Sequence, residues 1–536
     1  MSNQDILGGH TGFLLNKLIL KKNRIFGDHF ELDFFDKGDF ADNKSVAEFP
    51  YTTLIIGANG TGKSLVLKII SDILVDLCNQ QQSMRSQNVF PPRTNNDYYL
   101  LSYFIGSDFY EIKNFNDHTS FSTKRKNFDF VFTKNNDSLN IEDIVLPERL
   151  LVTSLLLTDR FTIHKDPPKF YKYLGVRSLT SPSTARTRNY VKRTVEHVVN
   201  SFADLNTEII YKIKKLLQFL NFKETFTIYY FPEYKNKFYI GDLDRKRFIE
   251  LFENYNDKKL GFSNRETSEY VPFGVSYYKT QIAGKEKLII DIVEFLNEIK
   301  NSNSLKKDDG SRSEYFEYDV LKGELSLEKY QLLTHIASLD LITFPSIGLL
   351  KNEEYVDLEN ASSGEYHFIS TMIGIYASLL PNSIILIDEP EISLHPNWQM
   401  RYMSFLKEIF KEYINCHFII TTHSHFFASD LDGDSSTIIG LANNDLGIEK
   451  VELIKSDTYG WSTEEILYSV FNVRSTRNSF FEYDLTKLVT MLNKNDDSYD
   501  EIRRLYNKFS SLKYSEIDPI NIVLEKVDNY LKLNNA

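Results

Sequence analysis

Gly57 to Ser64 reads GANGTGKS and satisfies the spacing G-x-x-x-x-G-K-[ST]. Glycines at 57, 60 and 62 let the backbone turn tightly, so that successive N–H groups and the start of a following helix point at phosphate oxygens. Lys63 brings a point charge to the β- and γ-phosphates, and the Ser64 hydroxyl is suited to ligate Mg2+. The whole candidate cradle is Gly57, Ala58, Asn59, Gly60, Thr61, Gly62, Lys63, Ser64 and Leu65. A second run, SIILIDEPEISLHP, ends an apolar stretch on two acids, Asp388 and Glu389. Carboxylates there stand at the carboxyl edge of a sheet, where α/β folds bind ligands. Asp388 is the expected Mg2+ partner and Glu389 the expected general base for an attacking water. A third run, FIITTHSHFF, ends on His423, whose neutral imidazole can hydrogen-bond a γ-phosphate or the water. His425 is an alternative at the same strand end.

These residues need elements to hold them. YTTLIIGANGTGKSLVLKIISDILVDL predicts a buried strand, a glycine loop and a helix, with Leu65, Val66, Ile69, Ile70, Ile73, Leu74 and Leu77 on one face at the 3.6 period. Residues 13–35 alternate apolar and polar positions and break at Asn23 and Gly27, as strands joined by a tight connection do. From 361 the pattern is helix, SIILID strand, helix, CHFIITTHS strand, which implies a mainly parallel sheet. A strand pair follows near 436–455, and Ser462 to Glu465 carries a capping-box pattern that opens a helical tail. Between about 98 and 340, aromatic β-like pieces such as NFDFVF and TFTIYYF alternate with helical runs, and no heptad persists.

The expected organisation is α/β: an N-terminal ATPase lobe over 1–97, a mixed helical and β insert with its own packing over 98–340, a C-terminal ATPase lobe over 341–457, and a helical tail over 458–536 that is expected to bind a partner. A length of 536 residues suits two to four units of ordinary size. The net charge of −12 argues against a polycation that coats nucleic acid. Cys78 and Cys416 lie far apart inside apolar runs, without zinc spacing, as buried thiols of a reducing compartment do. With no signal-like start and no apolar run of spanning length, the expected location is the cytoplasm.

The order P-loop, ASSGE, ILIDEP, TTHS resembles the ATP-binding-cassette ATPases, in particular their soluble SMC-like branch. The resemblance implies that ASSGE, Ala361 to Glu365, is the signature run opening a helix, with Ser362, Ser363, Gly364 and Glu365 as site residues. Ser363 and Gly364 would then meet the γ-phosphate on the P-loop of a second copy, so that two ATP molecules are sandwiched in a head-to-tail dimer. Glu391 to His395 would cross that interface. The run departs from the commoner Leu-Ser-Gly-Gly-Gln at Ser363 and Glu365. LLVTSLLLTDRF, ending near Asp159, stands where the glutamine of the lobe-connecting loop is expected, and Phe26 and Phe30 compete for the adenine-stacking position.

A narrower resemblance is to the PtuA-type ATPases of Septu and retron antiphage systems, carried by the length, the mixed insert, and a tail reading YGWSTEEIL and then VRSTRNSFFEYDL. It implies an ATP- and Mg2+-dependent regulatory subunit that oligomerises and controls a separate, PtuB-like HNH nuclease. Asp430 and Asp432 in SDLDGDSS read as a solvated turn and not as a nuclease pair. An SMC- or RecF-like repair ATPase is the alternative. Its DNA or RNA contacts would come from Lys124, Arg125 and Lys126, and from Arg186, Arg188, Lys192 and Arg193 with Tyr190 among them. The long interval from Lys63 to Ser363 disfavours a transporter cassette, whose corresponding interval is much shorter.

Overall fold

The computed structural model describes residues 12–35, 49–86, 98–115, 129–177 (less 157, 165 and 166), 194–199 (less 197), 207–232, 244–253, 273–301, 306–307, 314–357 (less 344 and 353), 363–431 (less 393 and 430), 435–443, 449–454, 458–469 (less 459), 478–493, 499–514 (less 513) and 518–533. By its contacts the chain divides into two compact units, Met1–Gly460 and Trp461–Ala536.

The first unit begins with β1 (Phe13–Asn23) and β2 (Gly27–Asp33), paired antiparallel with Leu18 opposite Leu32 and Leu20 opposite Phe30. Gly27 closes the turn at φ +80°, a backbone region that glycine enters without a Cβ penalty. β3 (Tyr51–Gly57) is buried over its first six residues because both its faces are covered, which is why it reads as a continuous apolar run. It feeds the loop and then the helix Lys63–Ser86, whose Val66, Leu67, Ile70, Leu74 and Leu77 are fully buried.

β4 (Tyr98–Ile105), β5 (Asp108–Lys113), β6 (Val131–Lys134) and β7 (Asp137–Ser138) extend the first pair into a six-stranded antiparallel sheet of order β2-β1-β4-β5-β6-β7. β8 (Leu150–Ser154) and β9 (Tyr171–Tyr173) turn instead to the main sheet. Residues 98–173 are thus built into two sheets that also hold β1 and β3, and the expected insert boundary at 97/98 does not coincide with a packing boundary. The change of texture there reflects a switch from parallel to antiparallel pairing. Which strand β4 pairs with is a long-range matter that local pattern does not encode.

A separate five-stranded antiparallel sheet, β11-β12-β10-β13-β14, is made by β10 (Thr227–Tyr230), β11 (Lys306–Lys307), β12 (Glu314–Asp319), β13 (Ser346–Lys351) and β14 (Glu354–Asp357). Its last two strands lie beyond residue 340, so the insert's sheet closes within the stretch assigned from sequence to the C-terminal lobe. The helix Thr207–Phe219 anchors this part on the stretch 376–412. Phe219 stacks on Phe405 at 4.1 Å, and Lys212 bonds Glu412 at 2.9 Å with its ammonium 4.5 Å from the Tyr376 ring.

Past the helix Ser363–Ser378 come β15 (Ile384–Asp388), the helix Pro396–Phe410, β16 (His417–Thr422), β17 (Ser436–Asn443) and β18 (Glu449–Ile454). The main sheet runs β18-β17-β3-β16-β15-β8-β9, parallel throughout except for the β17–β18 pair. Its parallel register sets Asp388 beside Thr421 and Ser154, and Thr422 beside Ile56, so the ends of β3, β16 and β15 form one edge. No helix among the described residues is long and apolar enough to cross a membrane.

In the second unit the expected capping box is formed: Ser462 N–H donates to Glu465 Oε2 at 2.8 Å and Glu465 N–H to Ser462 Oγ at 3.2 Å. Helices Ser479–Asn493, Tyr499–Ser510 and Ile520–Leu533 pack around Leu488, Ile502, Leu505, Phe509 and Val527.

Candidate active site

The loop after β3 holds the backbone its sequence requires, with φ of +154°, +87° and +90° at Gly57, Gly60 and Gly62. A Cβ on Gly57 would lie 2.4 Å from the Leu441 carbonyl of the neighbouring strand, so glycine is demanded there by space as well as by conformation. Ala58, Asn59 and Gly60 form the exposed crown, and Thr61 is buried with its hydroxyl donating to the Ala58 carbonyl at 2.9 Å. Leu65 is part-buried against the core beneath.

Lys63 is 4% exposed and donates to the carbonyls of Gly57 at 2.9 Å and Ala58 at 3.3 Å. Burial lowers its pKa, against the raising influence of Glu389, Glu391 and Asp388. Its ammonium also lies 2.8 Å from His423 Nε2, and the same nitrogen is 3.2 Å from Glu389 Oε1. One ring nitrogen therefore faces a pure donor and a carboxylate acceptor. With its lone pair there it accepts from Lys63, and with a proton there it donates to Glu389, so the tautomer decides which partner His423 serves. Of the two histidines weighed from sequence, His423 is the one in contact with Lys63 and Glu389. His425 sits instead at the start of a short 3-10 turn, its ring 4.1 Å from that of Phe426.

Asp388 is 1% exposed at the end of β15. Its Oδ1 accepts from Ser64 Oγ at 2.8 Å and Thr421 Oγ1 at 2.6 Å, while its Oδ2 is buried without a hydrogen-bond partner. Burial pushes its pKa up, opposed by the two hydroxyl bonds. A buried carboxylate oxygen left unsatisfied is costly, and beside a serine hydroxyl it fits a hard divalent cation. Among the described residues no group of three or more His, Cys, Asp or Glu side chains forms a closed metal cage. One carboxylate and one hydroxyl are what Mg2+ takes when substrate phosphates and water complete its shell.

Glu389 leaves the strand in the left-handed region, φ +50°, with its N–H on the Thr421 carbonyl at 3.0 Å. For a non-glycine residue this conformation costs about 1–3 kcal/mol, and it turns the side chain toward His423. The His423 contact holds the Glu389 carboxyl below its ordinary pKa despite burial, so the group is an ionised base at neutral pH.

The helix Ser363–Ser378 begins at the expected signature run, and Gly364 is buried at its start. Ser362 and the side chains of Ser363 and Glu365 lie outside the described residues. Among the described residues no hydrogen bond joins Gly364 to the loop of its own chain. Further along, Phe368, Thr371 and Met372 line a pocket with Thr153, Asp388 and Tyr402. Of the Glu391 to His395 run, Leu394 is buried and His395 caps the next helix by accepting the Asn397 N–H at 3.2 Å.

Two expectations change. Asp159 accepts Tyr173 Oη at 2.6 Å and both Arg177 Nε and a second guanidinium nitrogen at 2.8 and 2.6 Å, so its carboxylate is consumed in a buried ion pair. Phe26 and Phe30 are 1% and 2% exposed and stack on each other at 4.2 Å inside the core, so neither presents a face to a base. Their spacing across the β1–β2 turn pairs them with each other. The basic runs at 124–126 and 186–193, with Tyr190, and the acids Asp430 and Asp432, lie outside the described residues. Sequence reasoning placed Glu391 only in the run expected to cross the interface and gave it no part in holding His423. Its Oε1 accepts the His423 N–H at 2.6 Å, and burial raises its pKa. The signal was an acid two residues past Glu389, indistinguishable by type from a solvated turn residue.

A family model described as "AAA domain, putative AbiEii toxin, Type IV TA system" matches residues 52–429. The Septu protein PtuA of Bacillus thuringiensis is 26% identical over 115 residues, 21% of this chain and 28% of that protein. The Retron Ec83 probable ATPase of Escherichia coli is 25% identical over 258 residues, 43% of this chain and 46% of the relative. The Retron Vc95 probable ATPase of Vibrio cholerae serotype O1 biovar El Tor is 22% identical over 435 residues, 76% of this chain and 72% of the relative. The chain thus spans less than half the length of the first two. Among solved structures, the SMC head domain from Thermotoga maritima is similar at 12% identity and a TM-score of 0.34, over 82% of this chain and 99% of that one.

Proposed function

The chain belongs to the AAA domain family matched over residues 52–429, and on that premise we propose that it binds ATP with Mg2+, hydrolyses it, and regulates an antiphage defence complex. The observation that carries the proposal is the convergence of Lys63, Ser64, Asp388, Glu389 and His423 at one sheet edge, joined by direct contacts. The loop N–H groups and Lys63 would hold the phosphates. Ser64 and Asp388 would hold Mg2+, which when bound supplies neutralisation of phosphate charge. Glu389, kept ionised by His423, is the base that takes a proton from water, and His423 can pass between Lys63 and Glu389 by changing tautomer.

Assembly is the second part of the proposal. Ser363 and Gly364 would complete the site of a second copy, in a head-to-tail dimer or higher oligomer. What supports this is the placement of Ser363 and Gly364 at the start of the helix Ser363–Ser378, together with the resemblance drawn above. In keeping with the resemblance drawn above, and with the similarity to a Septu protein PtuA and two retron ATPases, the proposed role is in defence, with a separately encoded HNH-type nuclease as partner.

Glu389→Gln should bind ATP normally, hydrolyse it at least ~100-fold more slowly, and accumulate the assembled form in mass measurements with ATP and Mg2+. Ser363→Arg should bind nucleotide yet fail to assemble. Wild-type turnover in the first variant, or ATP-driven pairing in the second, would refute the corresponding half of the proposal.

A further inference from the structure

Resting on the placement of His423 in the hydrolytic site, we infer that Glu391 is a positioning residue that seats His423, and that Gln399 backs it. The ladder between β16 and β3 ends at Thr422 opposite Ile56, so the His423 N–H has no strand partner and is taken up by Glu391 Oε1 at 2.6 Å. A bond from N–H to a carboxylate is shorter and stronger than one between neutral groups. The next residue is tied as well: Ser424 Oγ donates to Gln399 Oε1 at 2.6 Å, and its N–H donates to Thr422 Oγ1 at 2.9 Å. Gln399 Nε2 in turn donates to the carbonyls of Leu394 at 2.9 Å and Glu391 at 3.4 Å.

The turn after β16 is thus clasped at two successive residues to the loop after β15. The clasp is mounted on a helix, Pro396–Phe410, that is anchored in the core by Tyr402, Met403, Phe405, Leu406, Ile409 and Phe410. What it protects is narrow. His423 Nε2 must stay 2.8 Å from Lys63 and 3.2 Å from Glu389 at once, and a displacement of about 1 Å loses both partners. Glu391 touches neither of those side chains through a hydrogen bond. Its charge reaches Lys63 only across space, and its direct contact with the site is made through the His423 backbone.

The test uses the full chain with ATP and Mg2+. Glu391→Ala should lower kcat about 10- to 100-fold with KM within about threefold. Glu391→Gln keeps an acceptor oxygen while discarding the charge and should restore kcat to within about threefold of wild type. Glu391→Ala combined with His423→Ala should be no slower than His423→Ala alone. Unchanged kcat in the alanine variant, an equal loss in the glutamine variant, or additive losses in the pair would each overturn the assignment. Should Glu391→Ala fail to fold, Gln399→Ala carries the same test, with about a tenfold loss in kcat at constant KM, and wild-type turnover there overturns it. Seating is also read without turnover, from the imidazole resonance of labelled His423, which should move in Glu391→Ala and return in Glu391→Gln. An unmoved resonance defeats the clasp, whereas absent hydrolysis in the wild-type chain defeats only the functional reading beneath it.

Discussion

Asp388 sets two pH dependences of opposite sign. Burial raises its pKa above the ordinary 3.8, so its neutral form suits the folded state. Folding stability contributed by this group is therefore present at low pH and is lost as pH rises through the raised value. Cation binding runs the other way, because a protonated carboxyl is a poor ligand. Lys63 has its pKa lowered by burial and loses its charge earlier on the alkaline side. Mg2+-supported ATP binding should then begin to fall on acidification above the ordinary carboxylate range, and fall again below the usual lysine range. Affinity measured against pH with and without Mg2+ checks this, and an acid limb identical in Asp388→Asn would contradict it. Lys63, Asp388 and Glu389 were legible in the sequence because each is fixed by spacing within a single strand and its following turn. Glu391 was not, because its role depends on an N–H that arrives from β16.

At the scale of elements, the join between the antiparallel sheet and the main sheet rests on a residue that no motif marks. His417, fully buried at the start of β16, accepts the Leu15 N–H on Nδ1 at 3.0 Å, and its Nε2 lies 2.8 Å from Thr53 Oγ1. The Thr53 hydroxyl donates onward to the Phe34 carbonyl at 2.7 Å, so the ring is a neutral imidazole protonated on Nε2. His417→Ala should destabilise the first unit by about 3 kcal/mol, from a buried N–H left unpaired and the cavity opened. Denaturant titration with an unchanged slope would check it, and a loss under ~1 kcal/mol would show the staple to be dispensable. The parallel order from 361 onward could be read in advance, since helices and apolar strands alternate there at regular intervals. The limits of the insert could not, since β4 and β13 are assigned by partners far away in the chain and not by their own composition.

For the whole molecule, the division at Gly460 separates a unit that contains every contact of the candidate site from one with its own apolar core. A chain ending at Gly460 should bind ATP with unchanged affinity and lose retention of the proposed nuclease partner, as measured by nucleotide titration and by co-purification. Partner retention by the shortened chain would move the docking site expected on the tail into the first unit. The same long-range construction has a consequence for how the protein is made. β3 takes both its sheet neighbours, β16 and β17, from late in the chain, and Thr53 waits for His417 across 364 residues. At ~5–20 residues per second of synthesis, roughly 20–70 s pass between the two. Throughout that interval the strand that carries the phosphate loop has two open edges, so translation speed and chaperone cover, as much as the finished contacts, govern how much active protein a cell obtains.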